Sequence, residues 1–317
     1  MQYRRLGSTG IRVSEIALGS WLTFGYKTDE DEAVACVRRA FELGVNLYDT
    51  ANVYAAGRAE EVLGAALAPL PRSQYLVATK AFFPIGPGPN DRGLSRKHIF
   101  EQVHASLRRL RTDYIDLFQC HRFDDETPLD ETLRAIDDLI SRGDVLYAGV
   151  SEWSAKNIND AVILTREAGL HPLVSDQPQY HILQRRIEQN GVLQVCAREG
   201  LGILAYSPLA QGVLSGKYST VADPPAGSRA TDPQGAQFMR QLFTEENLSR
   251  AQQLKEVAER AGLTLPRMAI AWCLRRSQIS AAIIGASKLE QLEENVSAAG
   301  VTLDEEVLQA IDRIVEV

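Results

Sequence analysis

Four polar side chains of this chain are suited to proton transfer: the carboxyl group of Asp49, the phenol of Tyr54, the amine of Lys80 and the imidazole of His121. Asp49, Lys80 and His121 each follow a short, mostly apolar run. A lysine beside a tyrosine favours the phenolate, so we expect Lys80 to lower the pKa of Tyr54 from about 10 towards the working range of a general acid. Asp49 is expected to keep Lys80 charged. Each residue alone has an ordinary structural explanation, and only their convergence indicates a proton-transfer site.

The elements that would bring these residues together are alternating strands and helices. Eight short apolar runs predict strands at 15–18, 45–48, 75–79, 115–120, 145–150, 173–176, 202–206 and 280–284. The stretches between them carry apolar residues three and four apart, which is typical of amphipathic helices. The pattern predicts an α/β fold, a (β/α)8 TIM barrel forming one domain over residues 1–317, with catalytic groups at the C-terminal ends of its strands.

A doubly wound parallel sheet is the main alternative to a barrel. That fold carries a glycine-rich turn that leaves the first strand and opens a helix. The sequence has no such turn after Leu18, and Gly200 and Gly202 lead from a predicted helix into a strand, which is the reverse order. The barrel is therefore the favoured prediction.

Three segments lie outside the repeating pattern. Residues 2–14 alternate around Gly-Ser-Thr-Gly, which predicts a β-hairpin placed to close the N-terminal end of the barrel. The segment 207–244 is long and rich in Gly, Pro and Ser, and it follows the seventh strand, near which barrels bind phosphate. This segment predicts a site for a phosphate-bearing ligand. Additional helices are expected at the C-terminus.

Composition excludes several classes of partner. The formal net charge of −7 argues against nucleic acid and anionic membrane surfaces as partners. No apolar run approaches the ~18 residues of a membrane span, and no signal peptide is evident, so a cytoplasmic location is expected. The four cysteines form no CxxC pair, and the other histidines share no ligand spacing, so no metal site is predicted.

Several motifs resemble those of the aldo-keto reductase family. They are GVNLYDTANVY at 44–54 with EEVLG at 60–64, YIDL at 114–117 leading to His121, and GVS at 149–151 with Trp153. The branch that contains the β subunits of voltage-gated potassium channels is the most similar, on the segments WLTFG at 21–25, AAGRAE at 55–60, RGLSRKHI at 92–99 and AIAWCLR at 269–275. The resemblance extends over nearly the whole chain, in order.

The resemblance implies an NADPH-dependent oxidoreductase that reduces aldehydes and ketones to alcohols by hydride transfer. Tyr54 would be the general acid, Lys80 and Asp49 would tune it, and His121 would orient the carbonyl group. Trp21 and Phe24 would line the substrate rim beside the cofactor, which suggests an aromatic or hydrophobic aldehyde. No metal is required.

The resemblance also implies a set of residues that bind NADP(H). Ser151 and Gln177 would hold the carboxamide, and Tyr206 would stack on the nicotinamide. The pyrophosphate would be held by Ser207, Leu209, Gln211, Gly212 and Lys217, and the adenosine by Gly285, Ser287, Gln291, Glu294 and Asn295. Gln291 stands where many reductases place the arginine that binds the 2′-phosphate of NADPH, and Arg229 from the long segment is expected to substitute for it.

Two other functions compete with the reductase. An accessory subunit would bind the nicotinamide nucleotide as a signal for a partner protein, but His121 completes the tetrad of the ordinary reductases and favours an enzyme. A barrel aldolase would form a Schiff base on Lys80, but a lysine paired with Asp49 is a poor nucleophile. The branch resemblance further implies a homo-oligomer.

Overall fold

The structure is a computed structural model that describes residues 1–315. Eight of its strands form a closed, all-parallel barrel, and two form a separate antiparallel hairpin. The strands are β1 Tyr3–Arg5, β2 Arg12–Ser14, β3 Ile16–Gly19, β4 Leu47–Asp49, β5 Leu76–Ala81, β6 Ile115–Cys120, β7 Val145–Val150, β8 Leu173–Asp176, β9 Gly202–Tyr206 and β10 Ile279–Ile284.

Closure of the sheet confirms the barrel and excludes the doubly wound alternative. Strand β10 pairs in parallel with both β9 and β3, so the sheet has no free edge. All eight predicted strands are present: four have the predicted bounds, and the other four have ends shifted by one or two residues. The second prediction, 45–48, ended one residue early, because Asp49 still pairs with Gly19 and Ala78 as the last residue of β4.

Helices follow the barrel strands and cover their outer faces. They are α1 Glu30–Glu42, α2 Arg58–Leu67, α3 Arg96–Leu110, α4 Leu129–Arg142, α5 Ala155–Glu167, α6 Arg186–Gln189, α7 Val192–Glu199, α8 Ala236–Met239, α9 Glu245–Arg260, α10 Leu265–Leu274, α11 Leu289–Val296 and α12 Glu305–Val315. Ser95 caps α3 by accepting the amide of His98, as its residue type predicts. In the part of the chain that is described, every helix is too short or too polar to cross a bilayer.

The N-terminal hairpin closes the bottom of the barrel. Its buried side chains Leu6 and Val13 join a cluster with inward-facing residues such as Leu47 and Leu117. Gly7 has a φ of 58°, and a Cβ there would lie 2.2 Å from the Gly200 oxygen, so only glycine allows this approach. With one end closed, ligands can reach the interior only at the C-terminal ends of the strands.

The long segment 207–244 folds over that open end. It contains α8 and two short 3₁₀ helices, Ala210–Ser215 and Arg229–Thr231. Two hydrogen bonds connect it to the loop after β3: Tyr26 donates to Asp232 Oδ1 at 2.6 Å, and Lys27 donates to the Gly227 oxygen at 2.6 Å. The segment therefore forms part of the wall of the opening.

Candidate active site

Parallel pairing brings three of the four predicted proton-transfer residues to one end of the barrel. Asp49 ends β4, Lys80 is the fifth residue of β5, and His121 follows β6, and these three strands are neighbours. Tyr54 begins a 3₁₀ turn five residues beyond Asp49. Lys80 Nζ lies 5.2 Å from the centre of the Tyr54 ring, and the Tyr54 and His121 ring centres are 5.7 Å apart. The four side chains are therefore brought together as predicted.

A buried ion pair forms the base of this cluster. Lys80 Nζ lies 2.6 Å from Asp49 Oδ1 and also donates to the Thr50 oxygen at 2.8 Å. The Lys80 side chain is fully buried and that of Asp49 is 5% exposed. The second Asp49 oxygen accepts from Gln177 Nε2 at 2.8 Å and from Gln119 Nε2 at 3.4 Å. Burial lowers the pKa of Lys80, while the adjacent Asp49 carboxylate opposes that shift and favours the ammonium.

The pKa of Tyr54 shifts in the direction opposite to the one expected from the sequence. Burial raises the pKa of this phenol well above its ordinary value, and the negative charge of Asp49 adds to the rise. The expectation was wrong because it considered the effect of Lys80 on the phenol but not the burial of the phenol or the direct effect of the Asp49 charge on it. A phenol held protonated is a proton donor at neutral pH.

His121 is held as a neutral imidazole. Burial lowers its pKa well below the ordinary value, and the positive charges of Lys80 and Arg122 lower it further. Its Nδ1 is buried with no hydrogen-bond partner among residues 1–315. The ring packs edge-on against Phe83, with centres 4.8 Å apart, and it lines the cavity described next. An uncharged ring in this position can orient a bound molecule by hydrogen bonding.

A cavity of about 1150 Å³ opens above the ion pair. It is lined by Asp49, Tyr54 and His121 and by all of the residues predicted to bind a nucleotide: Trp21, Ser151, Gln177, Tyr206, Ser207, Leu209, Gln211, Gly212, Lys217, Arg229, Gly285, Ser287, Gln291, Glu294 and Asn295. Lys80 lies beneath the cavity wall instead of on it, because its side chain is fully buried. That position prevents a substrate from reaching its amine, which argues against the Schiff-base alternative.

The polar groups nearest the tetrad form a connected network. The Ser151 hydroxyl donates to the backbone oxygen of Gln177 at 2.8 Å. The side-chain nitrogen of Gln177, Nε2, donates to Asp49 and more weakly to Gln119. The side-chain oxygen of Gln177 has no hydrogen-bond partner in the described part of the chain. An amide acceptor beside the aromatic ring of Tyr206 suits a planar group that carries an N–H donor.

Two cations face the same cavity farther along the long segment. Lys217 and Arg229 have no carboxylate within ion-pair distance in the described structure. Burial lowers the pKa of Lys217, and the charge of Arg229 lowers it further. Arg229 donates to Gln211 Oε1 at 2.5 Å. Two neighbouring cations without a protein anion are a suitable environment for phosphate groups.

The residues predicted to bind adenosine lie around the start of α11. Gln291 Oε1 accepts hydrogen bonds from both the backbone amide and the hydroxyl of Ser287, each at 3.2 Å. The Gln291 side chain thus occupies the donors at the helix start, where an anion would otherwise be favoured.

Backbone strain is concentrated beside the cavity. Ala55 and Ala56, directly after Tyr54, have φ values of 47° and 52°. Ser207, Ala210 and Gln211 also have positive φ. Left-handed conformations at residues other than glycine are costly and tend to occur at functional sites.

Sequence reasoning missed four residues at or beneath the cavity. Gln119 faces inward on β6 and contacts Asp49, and its alternation with the inward-facing Leu117 was the available signal. Arg122 and Phe83 line the cavity just beyond β6 and β5, and their positions directly after two barrel strands were the available signal. Phe238 packs against Trp21 with ring centres 4.9 Å apart, and nothing in its local sequence indicated this contact.

Comparison with known proteins agrees with this architecture. The chain belongs to the Aldo/keto reductase family, whose model matches residues 15–316. It is 41% identical to a "Probable voltage-gated potassium channel subunit beta" from Oryza sativa subsp. japonica, over 320 aligned residues that cover 100% of this chain and 97% of the relative. A protein with the same description from Arabidopsis thaliana is 40% identical with the same coverage. Both resemblances predicted from the motifs are confirmed.

Proposed function

We propose that this protein is an NADPH-dependent reductase that converts aldehydes and ketones to alcohols, with Tyr54 as the general acid. One observation carries the proposal: a protonated phenol, a neutral imidazole and a buried lysine–carboxylate pair meet at one end of a cavity that continues to two unpaired cations. Membership of the aldo/keto reductase family supports the same reaction class.

The residues along the cavity fit a nicotinamide dinucleotide phosphate. Lys217 and Arg229 have the charge that phosphate groups require, and neither forms an ion pair with a carboxylate of the described chain. The free oxygen of Gln177 would accept from the carboxamide, and the ring of Tyr206 would stack on the nicotinamide. When bound in reduced form, this cofactor supplies a hydride to the carbonyl carbon.

Tyr54 supplies the proton. As negative charge develops on the carbonyl oxygen, the phenol donates its proton to that atom, which completes the alcohol and leaves a phenolate. The Lys80 ammonium, 5.2 Å from the Tyr54 ring centre, stabilises that phenolate electrostatically. Asp49 keeps the ammonium in place and charged, since it forms the 2.6 Å ion pair.

His121 orients the carbonyl group. Because the imidazole is neutral, it donates a hydrogen bond to the carbonyl oxygen without competing with Tyr54 as a proton source. Trp21, Phe83 and Phe238 provide aromatic surface near this point, so the favoured substrates are aromatic or hydrophobic aldehydes.

A steady-state assay tests the proposal. Purified protein is mixed with NADPH and a panel of aliphatic and aromatic aldehydes, and NADPH consumption is followed by absorbance. We expect turnover with aromatic aldehydes and weaker turnover when NADH replaces NADPH. Absence of turnover with every aldehyde would refute the reductase.

An accessory subunit is the second candidate, and the descriptions of the rice and Arabidopsis relatives favour it. In that role the protein would bind NADPH and pass the redox state of the nucleotide to a partner protein. Tight NADPH binding by calorimetry, together with no aldehyde turnover, would support this candidate over the first.

A further inference from the structure

Arg122 places a positive charge at the substrate end of the cavity. It follows His121 directly beyond β6, it is half-buried, and it lines the cavity with Tyr54 and His121. Its Nη1 donates to the His121 backbone oxygen at 2.5 Å, and its guanidinium carbon lies 5.4 Å from the centre of the Phe83 ring. The guanidinium is therefore held next to the predicted position of the carbonyl group.

No protein anion neutralises this guanidinium within the described residues. Among the arginines of residues 1–315 that are at least partly buried, only Arg122, Arg229 and Arg267 lack a carboxylate within ion-pair distance. Of the carboxyl groups nearby, Glu152 pairs with Arg186 at 2.5 Å and Asp124 accepts the Leu94 amide at 2.7 Å. The third, Asp176, is held neutral, because burial raises its pKa well above the ordinary value.

The charge of Arg122 acts on the tetrad itself. After the larger effects of burial and Lys80, it contributes to the lowered pKa of His121. It also opposes the burial-driven rise in the pKa of Tyr54. Such coupling requires that the guanidinium lie close to the reacting groups.

We propose that Arg122 is a specificity-determining residue that makes carbonyl compounds bearing a carboxylate the preferred substrates. A guanidinium presents N–H donors in a planar fork that matches a carboxylate, and the loss of water inside a cavity strengthens the pair. Trp21, Phe83 and Phe238 would contact the apolar body between the carboxylate and the carbonyl group. This inference rests on the reductase function proposed above.

Matched pairs of substrates test the preference. The 2-, 3- and 4-carboxybenzaldehydes are compared with the corresponding formylbenzamides, which have nearly the same shape without the charge. For at least one isomer, we expect wild-type kcat/KM to be about 10-fold or more higher for the carboxylate, mainly through a lower KM.

Three variants assign that preference to the guanidinium. In Arg122→Gln the carboxylate-to-carboxamide ratio of kcat/KM is expected to fall to about 1, and in Arg122→Lys, which keeps the charge but not the fork, to an intermediate value. Arg108→Gln makes the same change in charge at an exposed position on α3 and should leave the ratio at its wild-type value.

Binding measurements separate this inference from the proposed function. The same compounds are titrated calorimetrically into the wild type, Arg122→Gln and Arg108→Gln, each with NADP⁺ and without nucleotide. Tighter binding of the carboxylate compound that is lost only in Arg122→Gln supports the inference, whether or not the aldehydes are reduced. If no aldehyde is reduced, only the proposed reductase function is refuted. Equal affinity for both compounds in the wild type, or a preference that survives in Arg122→Gln, would overturn the role of Arg122.

Discussion

Replacing Lys80 with methionine isolates the energetic role of the buried ion pair. The variant leaves the Asp49 carboxylate inside the barrel without its cation and removes the donor to the Thr50 oxygen. Loss of one partner of a buried pair costs about 3–5 kcal/mol of unfolding free energy. Asp49 keeps the amide donor of Gln177 at 2.8 Å, so we expect the lower part of this range, about 3 kcal/mol.

A double-mutant cycle makes this prediction specific. Combining Lys80→Met with Asp49→Asn removes the orphaned charge, so the double variant should be more stable than Lys80→Met alone, by roughly 1–2 kcal/mol. Unfolding free energies are measured by urea titration, followed by circular dichroism and tryptophan fluorescence. Lys97→Met is the control, because Lys97 forms an exposed pair with Glu101 and its loss should cost less than about 0.5 kcal/mol.

One pattern of results would refute this reasoning. If Lys80→Met costs under about 1 kcal/mol, or if the two substitutions are simply additive, Asp49 is not an uncompensated buried anion in the variant. The buried pair of Lys80 and Asp49 would then contribute far less to the stability of the barrel than its geometry indicates.

Three further predictions follow from other parts of the molecule. Leu6→Ala opens a cavity in the barrel floor and should lower the unfolding free energy by about 2–5 kcal/mol in urea titrations, whereas Tyr3→Ala at an exposed site of the same hairpin should cost far less. Burial lowers the pKa of His181 from 6.5 to about 3, so the unfolded chain binds its proton first. Stability should therefore fall as pH drops below about 6.5, by roughly 2 kcal/mol at pH 5 for this residue, and His181→Gln should reduce that slope; an unchanged slope would contradict a buried neutral imidazole. Arg229→Met should weaken NADPH binding by about 10- to 100-fold and NADH binding less, and an equal loss for both nucleotides by calorimetry would argue against contact with the 2′-phosphate.

The barrel was predictable because parallel strands that are buried on both faces appear in the sequence as short, continuous runs of apolar residues. Strand ends were less predictable, since they depend on tertiary contacts. The prediction placed Glu15 in the first strand, but its carboxylate pairs with Arg4 and accepts the Gly300 amide, and the barrel strand begins at Ile16.

The membership of the site was more predictable than its electrostatics. Tyr54 and His121 follow from strand order and family motifs, whereas the pKa of Tyr54 depends on how deeply the phenol is buried. The hydrogen bond from Gln177 to Asp49 connects residues at the ends of strands far apart in the chain, and Phe238 reaches Trp21 only through the path of the long segment. Local sequence patterns carry no information on such contacts.

Single-turnover hydride transfer by Tyr54→Phe tests the central claim most directly. Wild type and variant are each saturated with NADPH and mixed with an aromatic aldehyde, and NADPH affinity is measured on the same preparations. We predict that hydride transfer slows by about 10²- to 10⁴-fold in the variant, while the Kd for NADPH changes by less than about threefold. A variant that reduces the aldehyde at the wild-type rate would contradict the assignment of Tyr54 as the proton donor.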